Sequence, residues 1–321
     1  MVKRLLNKLG RTKSEFLFNY FPTTLDFVKS KNNKILMYHG VDAIGSTKFN
    51  SRHTAVANFE KQIRFLKKNC NIISLEDYFL RKFDETKPNI AITFDDGYLN
   101  NYIFAKPILE QYKAKATFFI TGLNEIEDDI LWADFLDIVS KFITSDFKFR
   151  GEIFRMVNGS IYNENYISLY EIIKNNSYEY KRELYKVLKD YSNFKENDEF
   201  SNYWKLMNDE QIKETANSDI ISIGSHGYYH NNLGRIPLPQ AVEELKKSKF
   251  YLENLIQKEI NSIGYPDGSY TRNLISESIA LGFKYQLATD SYLFEEDEND
   301  QRILTRKGIY SCDSCGNQLI Y

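Results

Sequence analysis

Cysteine and histidine are scarce in this 321-residue chain, at three and four residues, and neither sign of charge prevails. Three cysteines cannot brace a chain of this length with disulfides, so reduced thiols in a cytoplasm are the expectation. Lysine and arginine total 42 against 44 aspartates and glutamates. That balance gives no electrostatic footprint for nucleic acid. No apolar run approaches the length needed to cross a bilayer. What is present is 42% hydrophobic and 27% charged residues, enough for a buried core and a solvated surface. Wholesale disorder, collagen-like repeats and coiled-coil rods are excluded by the same figures. The length is about twice that of a usual single domain, yet within reach of one α/β barrel.

Residues 1–33, beginning MVKRLLNKLGRTKSEFLFNYF, form a separate basic, amphipathic segment. A secretory signal needs an uninterrupted apolar core, which Asn7, Lys8, Arg11 and Lys13 break. No signal peptide or transmembrane helix is therefore expected, and the place of action is expected to be cytoplasmic. Leu5, Leu6, Leu9 and Phe16 can share a face that packs on the protein's own domain. The same face could instead rest on a membrane surface as a peripheral contact.

From residue 34 to 321, short β-rich runs alternate with helical stretches, the pattern of an α/β domain. The expected strands are Ile35–Tyr38, Asn71–Ser74, Ile90–Phe94, Ala116–Ile120, Ile220–Gly224, Asn261–Tyr265, Lys284–Ala288 and Gly308–Tyr310. Phe59, Ile63 and Leu66 recur at helical spacing, as do Val242, Leu245, Leu252 and Leu255. Asn208 with Gln211 forms a capping box, Thr271 can cap a later helix, and Gly282 can end it. About eight strands with crossover helices predict a (β/α) barrel, complete or not, whose chemistry sits at the C-terminal strand ends. Residues 140–205 interrupt the alternation. A hairpin over 145–162 turns at Asn158-Gly159, and Tyr/Lys/Glu-rich helical sequence follows over 163–196. This insertion is either a cap near the site or a helical excursion without a role there.

The run Ile90-Ala-Ile-Thr-Phe-Asp95-Asp96-Gly97 ends a hydrophobic strand in two adjacent carboxylates. Like charges this close need a cation or a proton between them. A second buried-type strand ends in His226 and His230, a spacing that on a helical turn puts both imidazoles on one face. Two imidazoles and one carboxylate make a three-ligand set for a catalytic zinc-like ion, with positions left open for water and substrate.

Thr93-Phe-Asp-Asp-Gly97, Ser225-His-Gly-Tyr-Tyr-His230 and Tyr265-Pro-Asp-Gly268 together resemble the polysaccharide deacetylases with a NodB homology domain, carbohydrate esterase family 4. The resemblance covers Lys34 to Arg306 apart from the 140–205 insertion. It implies a distorted (β/α) barrel and a metal-dependent hydrolase that removes the acetyl group from an N-acetylated sugar. It also implies that Asp96, His226 and His230 hold the metal and that Asp95 is the general base. The backbone N–H of Asp267, in a loop shaped by Pro266 and Gly268, becomes the oxyanion donor. Zinc leads as the cofactor, with cobalt, nickel and manganese as alternatives.

The chain departs from the commonest pattern of that family twice. Gly264 stands where many members carry a base-orienting arginine. Arg306 could take over that role, beside a plainer reading as a surface or structural arginine. No histidine follows His230, so the usual late general acid is missing. Leu36-Met-Tyr-His39-Gly40 instead resembles the rearranged subgroup that includes poly-N-acetylglucosamine deacetylases, which makes His39 the candidate acid. His53 lies in Ser51-Arg-His-Thr54, read as a polar loop.

The expected role is surface-glycan assembly, on a nucleotide-linked or lipid-linked sugar. The alternatives are deacetylation of an exported polymer, such as peptidoglycan or a chitin-like chain, and a catalytically silent carbohydrate-binding protein. Trp132 and Trp204 could stack on sugar rings or fill the core. Cys312 and Cys315 read as two ordinary cysteines.

Overall fold

The β-branched and aromatic runs become strands, and the periodic apolar stretches between them become helices. The computed structural model describes residues 20, 28, 31–43, 50–126, 130–196 and 201–310. Nearly all of the basic N-terminal segment, and Cys312 and Cys315, lie outside the described residues. The strands are β1 (Lys34–Tyr38), β2 (Val41–Asp42), β3 (Thr54–Ala55), β4 (Asn71–Ile72), β5 (Asn89–Phe94), β6 (Ala116–Ile120), β7 (Phe147–Phe149), β8 (Glu152–Val157), β9 (Ser160–Asn163), β10 (Ile221–Ser225), β11 (Ser262–Gly264), β12 (Tyr285–Leu287), β13 (Ile303–Leu304) and β14 (Lys307–Gly308). The α-helices are α1 (Val56–Asn69), α2 (Leu75–Phe79), α3 (Lys106–Tyr112), α4 (Trp132–Val139), α5 (Leu169–Lys174), α6 (Tyr178–Val187), α7 (Asp209–Ala216), α8 (Leu238–Ile256) and α9 (Arg272–Ala280).

One sheet runs in the order β13-β12-β11-β10-β6-β5-β1-β14, with β4 paired beside β5. Every pairing in it is parallel. All six residues of β5 are buried, as a parallel strand covered on both faces requires. Phe59, Ile63 and Leu66 of α1 and Leu245 and Leu252 of α8 are buried against the sheet. Val242 and Leu255 pack at the margin of the same core. Each such large apolar side chain contributes about 1.5–3 kcal/mol when fully buried. The capping box on α7 and the Thr271 cap on α9 both form. Gly282 follows α9 with φ +93°, a conformation that glycine adopts without penalty.

The sheet curls into a half-barrel whose two edge strands, β13 and β14, are consecutive in the chain. Residues 303–308 therefore run from one edge to the other. On the β12 side of this segment the N–H of Arg306 donates to the Thr289 carbonyl at 2.9 Å, and on the β1 side that of Ile309 to the Met37 carbonyl at 2.9 Å.

Three expectations at this level need correction. The strand expected over Asn71–Ser74 stops at Ile72, because Ser74 accepts from the Asp77 N–H and caps α2. β2, β3 and β13 are additional to the expected set, and the last strand is Lys307–Gly308 instead of Gly308–Tyr310. The hairpin is a three-stranded antiparallel sheet, β7-β8-β9. Besides Asn158-Gly159, with φ +51° and +84°, Arg150-Gly151 turns the chain with φ +48° and +89°. Positive φ at both central residues is the signature of a type I′ turn.

This three-stranded sheet packs with α4, α5 and α6 around its own apolar cluster, which includes Phe135, Phe154, Leu184, Phe194 and Trp204. The cluster begins at Ile130, so it recruits α4 from before the expected start of the insertion.

Candidate active site

The chain turns between the two carboxylates at the end of β5, and both line one cavity. The Asp95 N–H still continues the ladder, donating to the Tyr38 carbonyl at 2.9 Å. Asp96 has φ +78° and Gly97 φ +79°. A left-handed conformation at a non-glycine residue costs on the order of 1–3 kcal/mol and persists only where its surroundings over-determine it. Here Asp96 Oδ1 faces His226 Nε2 at 3.3 Å and His230 Nε2 at 3.2 Å.

His226 follows β10, and its Nδ1 lies 2.7 Å from the Gly264 carbonyl. A carbonyl can only accept, so Nδ1 carries the proton and the lone pair sits on Nε2, pointing at Asp96. The histidines are not on a helical turn, as their spacing suggested. Gly227 at φ +71° and His230 at φ +54° fold residues 226–230 into an irregular loop that brings the rings 5.0 Å apart. One ligand atom from each of Asp96, His226 and His230 lies within 4.8 Å of the others, all three residues being buried. Asp96 Oδ2 is buried without a hydrogen-bond partner. Two imidazole nitrogens converging on a carboxylate, with a buried carboxylate oxygen unspent, are the donor chemistry of a divalent cation site. The residues fit such an ion.

Arg306 is 2% exposed and grips Asp95 with both ends of its fork, Nη1 to Oδ1 at 2.6 Å and Nη2 to Oδ2 at 2.8 Å. Its Nε donates to the Ala288 carbonyl at 2.8 Å. A Cβ built on Gly264 would come within 3.4 Å of Arg306 Nη2 and within 3.3 Å of the Phe119 ring. The guanidinium thus occupies the space beside position 264, and the plain reading of Arg306 as a surface residue is corrected. Burial works to raise the Asp95 pKa, but the Arg306 charge, followed by His226, outweighs it and holds the carboxyl below its ordinary range.

A cavity of about 130 Å³ opens onto these groups, and His39, Arg52, Trp132, Tyr170, Asp267, Thr289 and Tyr310 complete its wall. His39 follows β1 and stacks on Tyr310, with centroids 6.4 Å apart. Burial pushes the imidazole down to about 4, against the pull of Asp96 and Asp95. Asp267 has φ +54°; its carboxylate accepts from Asn232 Nδ2 at 2.9 Å and pairs with Lys174 of α5. Gly268 has φ +62°, and a Cβ there would meet Thr289 Oγ1 at 2.5 Å.

His53 is not in a polar loop at the site. It is fully buried, its Nδ1 3.2 Å from Asp42 Oδ2 and its ring so close over Gly40 that a Cβ there would lie 2.4 Å away. Trp204 is buried in the second cluster, whereas Trp132 reaches the cavity. Sequence reasoning missed Arg52, Tyr170, Thr289 and Tyr310. Thr289 and Tyr310 come just after β12 and β14, so the strand-end rule that found His39 could have found them. Arg52 had no such signal; Asp134, which also binds Asn50 and Tyr98, holds it at 2.5 Å.

A parallel half-barrel with a buried carboxylate–imidazole centre at its strand ends, and a second carboxylate beside it, defines a hydrolase. The sequence model of the family described as Polysaccharide deacetylase matches residues 82–160 and 172–286, and the chain belongs to that family, whose members hydrolyse the acetamido C–N bond of N-acetylated sugars. A Bacillus subtilis protein named as a polysaccharide deacetylase, YxkH, is 22% identical over 268 residues, 82% of this chain and 67% of its own length. Among solved structures, the Streptococcus pyogenes deacetylase PplD, solved with acetate, superposes with a TM-score of 0.57 at 19% identity, over 89% of this chain and 96% of that one. IcaB from Ammonifex degensii superposes at 0.54 with 14% identity, over 90% and 96%. At these identities the structural likeness speaks for the fold. The matched stretch contains Asp95, Asp96, His226 and His230 but neither His39 nor Arg306.

The Arg306–Asp95 pair carries a stability prediction. Removing one partner of a buried pair strands the other and costs about 3–5 kcal/mol. Arg306→Gln should lose that much in denaturant unfolding, and the double variant with Asp95→Asn should lose less than the two single losses added. An Arg306→Gln protein as stable as the parent would show that the pair is not formed.

Proposed function

We propose that this chain removes acetyl groups from a polymeric N-acetylated sugar, with one divalent ion held by Asp96, His226 and His230. The observation that supports this most is the different treatment of two neighbouring carboxylates. Asp95 has both oxygens on a guanidinium, whereas Asp96 stands between two imidazole nitrogens. One is placed to move a proton and the other to hold a cation. Zinc suits a set of two imidazoles and a carboxylate, and cobalt, nickel and manganese share those preferences in part.

A divalent ion supplies Lewis acidity there, polarising the acetyl carbonyl and easing the ionisation of water. Asp95, ionised and fixed in orientation by Arg306, takes the proton from the attacking water. The Asp267 N–H, in its left-handed turn between Pro266 and Gly268, is the donor for the oxyanion. His39 is neutral at rest and passes a proton to the leaving nitrogen. The balance closes: the hydroxyl of water ends on the acetyl carbon, the C–N bond breaks, and the proton ends on the amine. Tyr170 of α5 brings the 140–205 region to the cavity wall, where it shapes access for the glycan.

The test is incubation with N-acetylated sugars in polymeric, lipid-linked and nucleotide-linked form, following acetate release and loss of acetyl mass. Turnover of the polymer is the expected result, and turnover of only the nucleotide-linked sugars would overturn the polymeric assignment. Elemental analysis should find one divalent ion per chain, lost in His226→Ala and in His230→Ala. Full metal occupancy in both variants would refute the ligand assignment.

A further inference from the structure

Residues 226–231, which carry the two imidazoles, have irregular backbone whose N–H groups need partners outside the loop. Glu244 of α8, 3% exposed, is the partner of two of them. Its Oε1 accepts from the N–H of Tyr229 at 2.9 Å and of Asn231 at 3.3 Å, and its Oε2 from Asn231 Nδ2 at 2.9 Å. A Cβ on Gly227 would stand 3.0 Å from Glu244 Oε1, so glycine is needed both for the turn and for the approach of the carboxylate.

The second cluster holds the same loop from the other side. Trp132 Nε1 donates to the carbonyl of His230 itself at 3.1 Å. Lys181 of α6 is fully buried; its Nζ donates to Asn231 Oδ1 at 2.6 Å and lies 5.0 Å over the Trp132 ring. The Asn231 amide therefore sits between the buried Lys181 amine from one part of the chain and the buried Glu244 carboxyl from another. Both ends of its side chain are committed. His230, at φ +54°, is fixed by its carbonyl and by the backbone N–H groups on either side of it.

We infer that Glu244, Trp132 and Lys181 are positioning residues that preset the 226–230 loop for its cation, which makes the α4–α6 cluster a working part of the site. This rests on the reading that Asp96, His226 and His230 hold a divalent ion. None of the three touches that ion; each acts through the loop. Partners of this kind, which orient ligands without binding the metal, typically change metal affinity 10–100-fold when removed.

The test is the zinc dissociation constant of the metal-free full chain, measured by competition with a chelator. It is read beside the melting temperature of the metal-free protein and the visible spectrum of its cobalt(II) form, which reports ligand geometry. Trp132→Phe keeps an aromatic ring at the site while deleting the N–H and three ring atoms. It should weaken zinc binding about 10-fold or more and alter the cobalt spectrum at a temperature where the metal-free variant is still fully folded. Lys181→Met should act in the same direction. Glu244→Ala should weaken binding further, and Glu244→Gln, whose oxygen still accepts from the two N–H groups, should recover part of the loss. Parental zinc affinity and cobalt spectrum in both Trp132→Phe and Lys181→Met would overturn the inference even if Glu244→Ala does not fold. Stoichiometric zinc in His226→Ala would instead overturn the underlying metal reading.

Discussion

Asp95→Asn should keep its divalent ion and lose about 10²–10⁴ of its deacetylation rate, the usual cost of removing a general base. Asp96→Asn, one residue along, should fail differently, by losing the ion. The separation follows from the turn between them. Asp95 stays in register with β5 and faces Arg306, and Asp96, at φ +78°, swings to the histidines. An asparagine at 95 can still accept from one arm of the Arg306 fork, so the side chain keeps its place and loses only its capacity to take a proton. It also leaves a buried guanidinium without its carboxylate, which lowers stability, so rates belong at a temperature where the variant is fully folded. Asp95→Asn with full metal and near-parental acetate release would end the division of labour between the two aspartates. Loss of the ion in Asp95→Asn would do the same from the other side.

What could be read from the sequence was whatever lies in one short run. Asp95 and Asp96 end a continuous apolar strand, His226 and His230 end another, and Pro266–Gly268 follow a third; each run declares its own strand end. Arg306 could be suspected but not placed, because its partner is 211 residues away. Their meeting depends on residues 303–308 bridging both edges of the sheet, and β13 and β14 are only two residues long each. Strands that short carry no periodicity to read. His53 was misplaced for a related reason. Its polar neighbours suggested solvent, but Gly40 and Tyr98 provide a pocket for the ring, and Asp42 satisfies its Nδ1. The 226–230 spacing pointed to two imidazoles that the structure does bring together, but by the wrong backbone. The i, i+4 relation suits a helix, and an irregular loop braced through Glu244 achieves the same convergence with partners that no local pattern reveals.

His39→Ala should separate two substrates that Asp95→Asn treats alike. An amide nitrogen leaves poorly unless it gains a proton as the C–N bond breaks, whereas the phenolate of an activated aryl acetate leaves without one. A residue that serves to protonate the leaving group is therefore needed for the first substrate and idle for the second. His39 is well placed to deliver that proton. It follows β1, the neighbour of β5 in the sheet, and shares the cavity with Asp95 and Asp96. Its depressed pKa of about 4 leaves it neutral in the resting protein near neutral pH. The single proton that Asp95 draws from water is then the one that must reach nitrogen, with His39 as its last carrier. Removing the imidazole should lower acetamide hydrolysis by about 10²–10⁴ and change aryl acetate hydrolysis little, with metal content unaltered. If His39 only supports Tyr310 and the cavity wall, both substrates should suffer equally. Parallel losses on amide and ester would remove His39 from proton transfer, and a selective loss on the amide would place it there.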